Sequence, residues 1–294
     1  MIRQITCIND DNISLSFGSN FAPFLLEDAD GLYSFNANVN VSQKSNGDGV
    51  TLLGSNLAQR NIVLTLRDID EHMKHRNVLY QLFKPKSKGT LIYREITKDE
   101  DCTRLIDYTV ESVNIGSSKY STASTISLIC DDPLFRDDHE TLVVMTGWNN
   151  TFEFPHEFKE EGKEFATQKK EKIVRIQEDY TISNIGMNII IDAEDAVTNP
   201  KMLRVEDNRY IQVGNDLKPF NMVYGDKLII STENNNKNVW LIRDGVKTSV
   251  NEYIEEGSSY IQLKNGNNTF RYFAQSGEDN MLVSIKYVKK YLGV

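Results

Sequence analysis

Residues 34–41 read Ser-Phe-Asn-Ala-Asn-Val-Asn-Val, an unbroken alternation of polar and apolar side chains. Successive side chains of a β-strand point to opposite faces, so this period of two predicts a strand with one apolar and one wet face. Ile13, Leu15 and Phe17 repeat the pattern upstream. We therefore expect the first part of the chain to be built from strands that bury one face.

Outward from this stretch, the N-terminal half continues as strands. They are predicted at 60–67, 90–97, 103–114, 121–130 and 141–146. Asn46-Gly-Asp-Gly and Lys98-Asp-Glu-Asp separate neighbouring runs with residues that suit tight turns. The pattern predicts a mainly β domain over residues 1–146.

One helix is predicted within this domain, at about 68–84. Asp68 and Glu71 resemble a capping box at its start, and Pro85 ends it. At 3.6 residues per turn the apolar positions fall in one narrow wedge, formed by Ile69, Met73, Tyr80 and Phe83. The basic residues Lys84, Lys86 and Lys88 lie where a helix C-terminus favours positive charge, rather than marking a ligand site.

The composition changes over residues 147–180. Phe152, Phe154 and Phe158 precede highly charged segments that cannot form a core alone, so this region is interpreted as a connector anchored by its aromatic residues. Short strands then return at 182–192, 203–206, 209–213, 227–231, 238–243, 259–263, 269–274 and 281–288. Their Asn- and Gly-rich turns predict an antiparallel β-sandwich over residues 181–294.

The net charge of −9 argues against adhesion to nucleic acid. Residues 1–140 carry 14 Lys/Arg against 20 Asp/Glu, a net charge of −6, and lack the concentrated basic face that displaces counterions from phosphates. The longest apolar runs, such as Leu142–Met145 and Ile189–Ile191, are too short to span a bilayer. The N-terminus lacks the features of a signal peptide, so we expect synthesis to end in the cytoplasm.

Few residues suggest chemistry. Cys7, Cys102 and Cys130 form no C-x-x-C pair and are expected to be reduced, mostly buried thiols. His72 and His75 lie three residues apart on the predicted helix, without a further recognisable ligand pair for a metal. Signatures of nucleophilic, nucleotide and zinc-protease sites are absent from the sequence. We expect no catalytic residue, no metal and no cofactor.

Two sets of residues nevertheless keep alternative functions open. Trp240, in the predicted sandwich, is a possible platform for stacking a sugar ring, although a core or interface tryptophan is the commoner case. A dense acidic cluster could serve acid/base catalysis, although a loop after a strand explains it as well. The cluster consists of Asp131, Asp132, Asp137, Asp138, His139 and Glu140.

Several segments together resemble the distal tail protein (Dit) family of siphovirus-type bacteriophages. Each is weak singly, but their order and spacing cover nearly the whole chain. They are Arg60-Asn-Ile-Val-Leu-Thr-Leu-Arg, Leu82-Phe-Lys-Pro-Lys, Gly89-Thr-Leu-Ile-Tyr, Cys130-Asp-Asp-Pro-Leu-Phe, Phe152-Glu-Phe-Pro, Ile182-Ser-Asn-Ile-Gly, Asn199-Pro-Lys, Gly225-Asp-Lys-Leu-Ile-Ile, Lys264-Asn-Gly-Asn-Asn and Tyr291-Leu-Gly-Val. The chain departs from the family at Gly186-Met-Asn, where an acidic, small-residue turn is usual.

The resemblance implies a hexameric ring at the distal tip of the virion tail. It implies an N-terminal ring-forming β-sandwich or split-barrel-like domain and a C-terminal galectin-like sandwich at the rim. The implied partners are further copies of the chain, the tail tube protein, the tail-associated hub (Tal) protein and receptor-binding proteins, with a central channel for DNA. It implies a structural protein without enzymatic activity, membrane insertion or sequence-specific nucleic-acid binding. The alternatives are a carbohydrate-binding module or adhesin using Trp240, and a hydrolase using Asp131, Asp132 or Glu140.

Overall fold

The computed structural model describes residues 2–18, 23–68, 72–97, 101–116, 123–150, 166–170, 172–178 and 184–294. The chain divides into two compact units. Unit 1 is Met1–Asp138 together with Lys290–Val294, and unit 2 is His139–Lys289. The predicted connector at 147–180 lies partly outside the described residues, including its aromatic anchors, so the predicted domain boundaries stay predictions.

Unit 1 is built around a closed sheet. In the described part of the chain seven strands follow one another in the order β8, β7, β1, β2, β3, β6, β9, and β9 pairs with β8 again to close the ring. The strands are β1 (Ile2–Asn9), β2 (Ser14–Gly18), β3 (Phe24–Asp30), β4 (Ala37–Gln43), β5 (Val50–Leu57), β6 (Arg60–Asp68), β7 (Lys88–Ile96), β8 (Asp101–Asn114) and β9 (Ala123–Cys130). β4 and β5 form a separate hairpin outside this barrel. The predicted β class and the strands near 60–67, 90–97, 103–114 and 121–130 are confirmed.

Side chains from alternate positions of each strand fill the interior of the barrel. Every second residue of β6, Ile62, Leu64 and Leu66, is fully buried, while the residues between them are more exposed. Their neighbours in the core come from β1, β7, β8 and β9. Because each strand presents its apolar side chains on one face, closing the sheet brings those faces together in the interior.

The described helix, α1 (His72–Leu82), packs its end on this core. Leu79, Leu82 and Phe83 are buried, and the Phe83 ring stacks on that of Phe17 at a centroid distance of 6.2 Å. Tyr80, which the helical wedge placed on the apolar face, is 49% exposed, so that assignment was wrong. The contact with the barrel core lies on the side of Leu79 and Leu82.

Unit 2 is an antiparallel sandwich, as predicted. One sheet has the order β21, β20, β19, β14, β23, and the other β13, β22, β16, β17. The strands are β10 (Phe135–Val144), β11 (Thr146–Asn150), β12 (Ala166–Lys170), β13 (Ile173–Glu178), β14 (Met187–Ala193), β15 (Val197–Thr198), β16 (Lys201–Arg204), β17 (Arg209–Gln212), β18 (Asn221–Met222), β19 (Lys227–Glu233), β20 (Asn236–Arg243), β21 (Val246–Ser249), β22 (Gly266–Phe273) and β23 (Met281–Tyr291). β10 begins in unit 1 and β23 ends in it.

The core of the sandwich is also formed by side chains from alternate positions of its strands. Met187, Ile189 and Ile191 of β14 are fully buried between the sheets, and Met202 and Phe270 cover them from the second sheet's side of the core. The strand predicted at 259–263 was wrong. This segment is irregular and makes only an isolated bridge between Leu263 and Ile185. No helix in the described residues is long and apolar enough to cross a membrane.

Candidate assembly surface

The hairpin of β4 and β5 has a one-sided apolar face. Val39 lies opposite Ser55, and Val41 lies opposite Leu52. Residues opposite one another in an antiparallel pair share a face, and that face alternates along each strand. The apolar set on one face is therefore Ala37, Val39, Val41, Val50, Leu52 and Leu57, and the other face carries Asn38, Asn40, Ser42, Thr51 and Asn56.

A β-bulge makes this face continuous. Asn40 pairs with Gly54 and the next residue, Val41, pairs with Leu52, so Leu53 is the extra residue on β5. Without the bulge, Leu52 and Val50 would point to the asparagine side, because a shift of one residue inverts the faces of a strand. The bulge thus places the aliphatic side chains of β5 beside Val39 and Val41.

The apolar face of this hairpin is uncovered. Val39 is 55% exposed, Leu52 is 62% exposed and Val50 is 50% exposed, and neither strand carries a charged residue. The expectation that the 34–41 strand buries its apolar face in the core of its own domain was wrong. An isolated two-stranded hairpin is marginally stable in water, and a neutral apolar strand pair is open to association. The surface therefore has the properties of a protein interface.

The base of the hairpin is tied to the barrel. The Tyr33 and Tyr93 hydroxyls lie 3.0 Å apart, and Tyr93 also donates to Glu95 at 2.6 Å. Burial, with the hydrogen bond to Glu95, raises the pKa of Tyr93 well above its ordinary value. The Ala58 amide donates to the Asn36 carbonyl at 2.9 Å and closes the hairpin's open end. These hydrogen bonds connect the base of the hairpin to the barrel.

Sequence reasoning found only one strand of this surface. The alternation at 34–41 is regular, but β5 was missed because the bulge at Leu53 interrupts its period. The turn Asn46-Gly-Asp-Gly between two apolar runs was the available signal for a hairpin.

Trp240 lies on β20 of unit 2 and is partly buried. The ammonium group of Lys247, on the neighbouring strand, is 4.6 Å from the centre of its ring, so a cation occupies one ring face. The role of Trp240 in stacking a sugar stays a prediction.

The acidic cluster does not converge. Asp132 pairs with Lys290 at 2.6 Å, Asp137 with Arg104 at 3.2 Å, and Glu140 with Lys286 at 3.0 Å. Asp132 also accepts a hydrogen bond from the Leu134 amide at 3.2 Å, which stabilises the turn that contains Pro133. These carboxylates bind separate cations, an arrangement that suits ion pairing rather than shared acid/base work.

The other candidate ligands are also held structurally. The His75 Nδ1 atom is 2.9 Å from the Asp68 carboxylate, while the His72 side chain lies outside the described ones. No group of three His, Cys, Asp or Glu residues that could hold a metal occurs in the described part of the chain. Cys7 and Cys130 are fully buried free thiols, as expected, and Cys102 is partly buried. Burial raises the pKa of Cys7 well above its ordinary value and that of Cys130 to about 12.

Comparisons with known proteins give a likeness of fold. No family model matches the sequence, and no curated protein matches it. The crystal structure of the SPP1 Dit (gp 19.1) protein, described as "a Paradigm of Hub Adsorption Apparatus in Gram-positive Infecting Phages", is similar at a TM-score of 0.64 and 13% identity. The match covers 98% of this chain and 99% of that one. A chain of the phage P2 baseplate in its activated conformation with Ca matches along the full length of both chains at a TM-score of 0.48 and 11% identity. The chain has the fold of the SPP1 Dit protein.

Proposed function

We propose that the chain is a structural component of a phage tail tip that assembles with copies of itself into a hexameric ring. Its fold is that of the SPP1 Dit protein over almost its whole length. The observation that carries the proposal is the uncovered apolar face of the β4–β5 hairpin. A second copy of the chain is the proposed occupant of this face. Heterologous contacts between identical subunits form a closed ring when the rotation that relates neighbouring subunits completes a full turn.

In this proposal the ring joins the tail tube to the Tal hub protein and carries the receptor-binding proteins. Unit 1 forms the ring around a channel, and unit 2 lies at its periphery. The net charge of −6 over residues 1–140 supports a lumen that passes DNA without retaining it, since an acidic wall repels phosphates. The chain acts at the virion tail tip after synthesis in the host cytoplasm, and its role is mechanical rather than enzymatic.

Native mass spectrometry and negative-stain imaging of the purified chain test the ring. We expect hexamers, alone at high concentration or on addition of the tube or hub protein of the same phage. The variant Val41→Ser/Leu52→Ser removes two large aliphatic side chains from the proposed contact. At about 1.5–3 kcal/mol for each, assembly should weaken by roughly 10²–10⁴-fold.

The matched control changes the opposite face of the same hairpin. Asn40→Ser/Thr51→Ser alters two exposed polar side chains and should assemble like the wild type. A wild-type chain that stays monomeric at high concentration and forms no ring with the tube or hub protein contradicts the proposal.

A further inference from the structure

A polar pocket lies in unit 2, on the outer face of the β13–β22–β16–β17 sheet. Its volume is about 340 Å³, within the roughly 300–1,000 Å³ usual for small-molecule sites. Lys201 on β16 pairs with Gln212 on β17 and with Phe273 on β22, so these three side chains share a face in adjacent strands. Asp216 and Glu255 complete the polar wall from loops. The floor of the pocket is thus strand backbone, which holds its side chains rigidly.

A chain of side-chain hydrogen bonds sets one wall of the pocket. Asn199, only 3% exposed, accepts the Phe220 amide at 2.8 Å and donates from Nδ2 to Gln275 Oε1. Gln275 in turn donates from Nε2 to Asp216 Oδ1 at 2.8 Å. Each bond fixes the next side chain, so Asp216 is held in place before any ligand arrives.

The backbone around Asn199 is shaped to allow this chain. Asn199 has a φ of 51°, and Gly214 has a φ of +87°. A Cβ atom at Gly214 would lie 2.1 Å from the Asn199 side-chain oxygen. Only glycine leaves room for the asparagine side chain there.

The free groups of the pocket are mainly hydrogen-bond acceptors. In the described structure no side chain or backbone group pairs with the Glu255 carboxylate, and Asp216 uses Oδ1 alone. Gln212 donates to the Gly214 carbonyl at 3.0 Å, which leaves its Oε1 as an acceptor. Lys201 supplies a cation, with its ammonium 3.8 Å from the centre of the Tyr210 ring. A ligand that fits must therefore offer several donors close together.

The charge of the pocket narrows the class of ligand. The carboxylates of Asp216 and Glu255 are balanced by the Lys201 ammonium and by the Arg271 guanidinium, which lies 4.5 Å from the centre of the Phe273 ring. An uncharged ligand suits such a balanced site, and its hydroxyl groups can donate to the carboxylates and to the amide oxygen of Gln212. Arg271 covers one part of the Phe273 ring, and the part that lines the pocket is an apolar wall against which the C–H face of a sugar ring can pack. A neutral saccharide combines vicinal hydroxyl donors with such an apolar face.

We infer that this pocket is a binding site for neutral saccharides, with Asp216, Glu255 and Gln212 as hydroxyl acceptors and Phe273 as the apolar wall. The inference goes beyond the proposed ring, because assembly through the hairpin needs none of these residues. It places sugar recognition at a site distinct from Trp240, which lies on the other sheet of the sandwich.

The test uses the full chain on an array of neutral and acidic glycans. Saturation-transfer NMR with millimolar galactose, glucose, mannose and N-acetylglucosamine accompanies it. We expect binding of at least one neutral sugar and no preference for acidic ones. Asp216→Ala/Glu255→Ala should weaken this binding at least tenfold, whereas Trp240→Ala should retain it. Asp10→Ala/Glu233→Ala is the matched control, since it removes the same two charges from exposed positions outside the pocket and the hairpin.

Four outcomes overturn the inference. They are no binding of any neutral sugar, binding restricted to acidic glycans, unchanged binding by the Asp216/Glu255 variant, and loss of binding in Trp240→Ala with the pocket variant intact. Thermal unfolding verifies that each variant is folded. Ring formation is measured on the same variants and should be unchanged, so failure of the saccharide site and failure of the ring are distinguishable.

Discussion

Arg60, at the start of β6, donates four side-chain hydrogen bonds to backbone carbonyl oxygens of unit 1. Its guanidinium, 4% exposed, donates to the carbonyls of Gly31 at 2.6 Å, Leu32 at 3.1 Å and Pro133 at 2.8 Å, and also to that of Leu292. Burial lowers the pKa of this guanidinium, although arginine stays charged. One side chain therefore satisfies backbone oxygens from three separate segments.

We predict that Arg60→Met destabilises the protein by at least about 3 kcal/mol, because buried carbonyl oxygens lose a charged donor. Denaturant unfolding measures the change. Arg3→Met is the control, since Arg3 is exposed and makes one 3.4 Å contact with Glu95, and it should cost less than about 1 kcal/mol. Equal effects of the two substitutions would show that the buried network contributes little.

A second buried guanidinium, Arg204, makes unit 2 sensitive to acid. Its Nε atom donates to Asp207 at 2.9 Å, and Lys264 lies 3.2 Å from the same carboxylate. The hydrogen bond from Arg204 is the largest cause holding the pKa of Asp207 well below its ordinary value, against the opposing effect of burial. Since the folded pKa is the lower one, this pair stabilises the fold above about pH 4 and its contribution is lost as the pH falls further.

We predict that Asp207→Asn lowers the free energy of unfolding by about 2 kcal/mol at pH 7, because Arg204 stays buried without its carboxylate. The difference from the wild type should shrink as the pH is lowered below about 4, where the wild-type carboxylate also becomes neutral. Unfolding curves between pH 2.5 and 7, with the exposed Asp48→Asn as control, measure it. A difference independent of pH would mean that the substitution acts through the turn rather than through charge.

Among the secondary-structure elements, the strands show which features the sequence pattern predicts and which it does not. Regular alternation located β6 and β9, because each buries one face and the period is intact. The pattern failed at β5, where the bulge at Leu53 breaks the period, and at 259–263, where apolar residues enter the core from a loop. It also could not show what covers an apolar face. That depends on neighbours distant in sequence, and for β4 and β5 the described chain offers none.

At the scale of this hairpin, we predict that the barrel does not need it. The core of unit 1 contains no residue of β4 or β5. Replacing residues 38–56 by a short Gly-Ser turn should therefore change the free energy of unfolding by less than about 1 kcal/mol, while abolishing assembly. Calorimetry and native mass spectrometry of the same sample measure both. A shortened chain that fails to fold, or that still forms rings, would contradict the prediction that the hairpin is needed for assembly but not for the stability of the barrel.

At the scale of the whole molecule, the organisation of the C-terminus was the least predictable feature. Sequence patterns placed every residue after 181 in the second domain, yet Lys290–Val294 belong to unit 1. The local pattern does not predict this, since β23 is one unbroken strand from Met281 to Tyr291. The saccharide pocket escaped prediction for the same reason, because its residues come from strands and loops scattered between 199 and 275.

The returning tail completes unit 1 through several kinds of contact. Lys290 pairs with Asp132 at 2.6 Å, and the Tyr291 ring lies 3.7 Å from the Arg104 guanidinium. Tyr291 and Val294 also pack against the core of the barrel. Among the described residues, the core cluster of unit 2 is drawn from its own range, residues 145–287.

We therefore predict an asymmetry between the excised units. A fragment of residues 139–289 should fold cooperatively, whereas residues 1–138 should be unstable unless residues 290–294 are supplied through a flexible linker. The linked tail should raise the stability of the first fragment by about 2–4 kcal/mol, because it restores the acceptor of Arg60 and the cation–π contact of Tyr291. Linking the same tail with Tyr291→Ser and Lys290→Ser should restore much less. Thermal unfolding followed by circular dichroism compares the fragments, and equal melting temperatures of residues 1–138 with and without the tail would contradict this role.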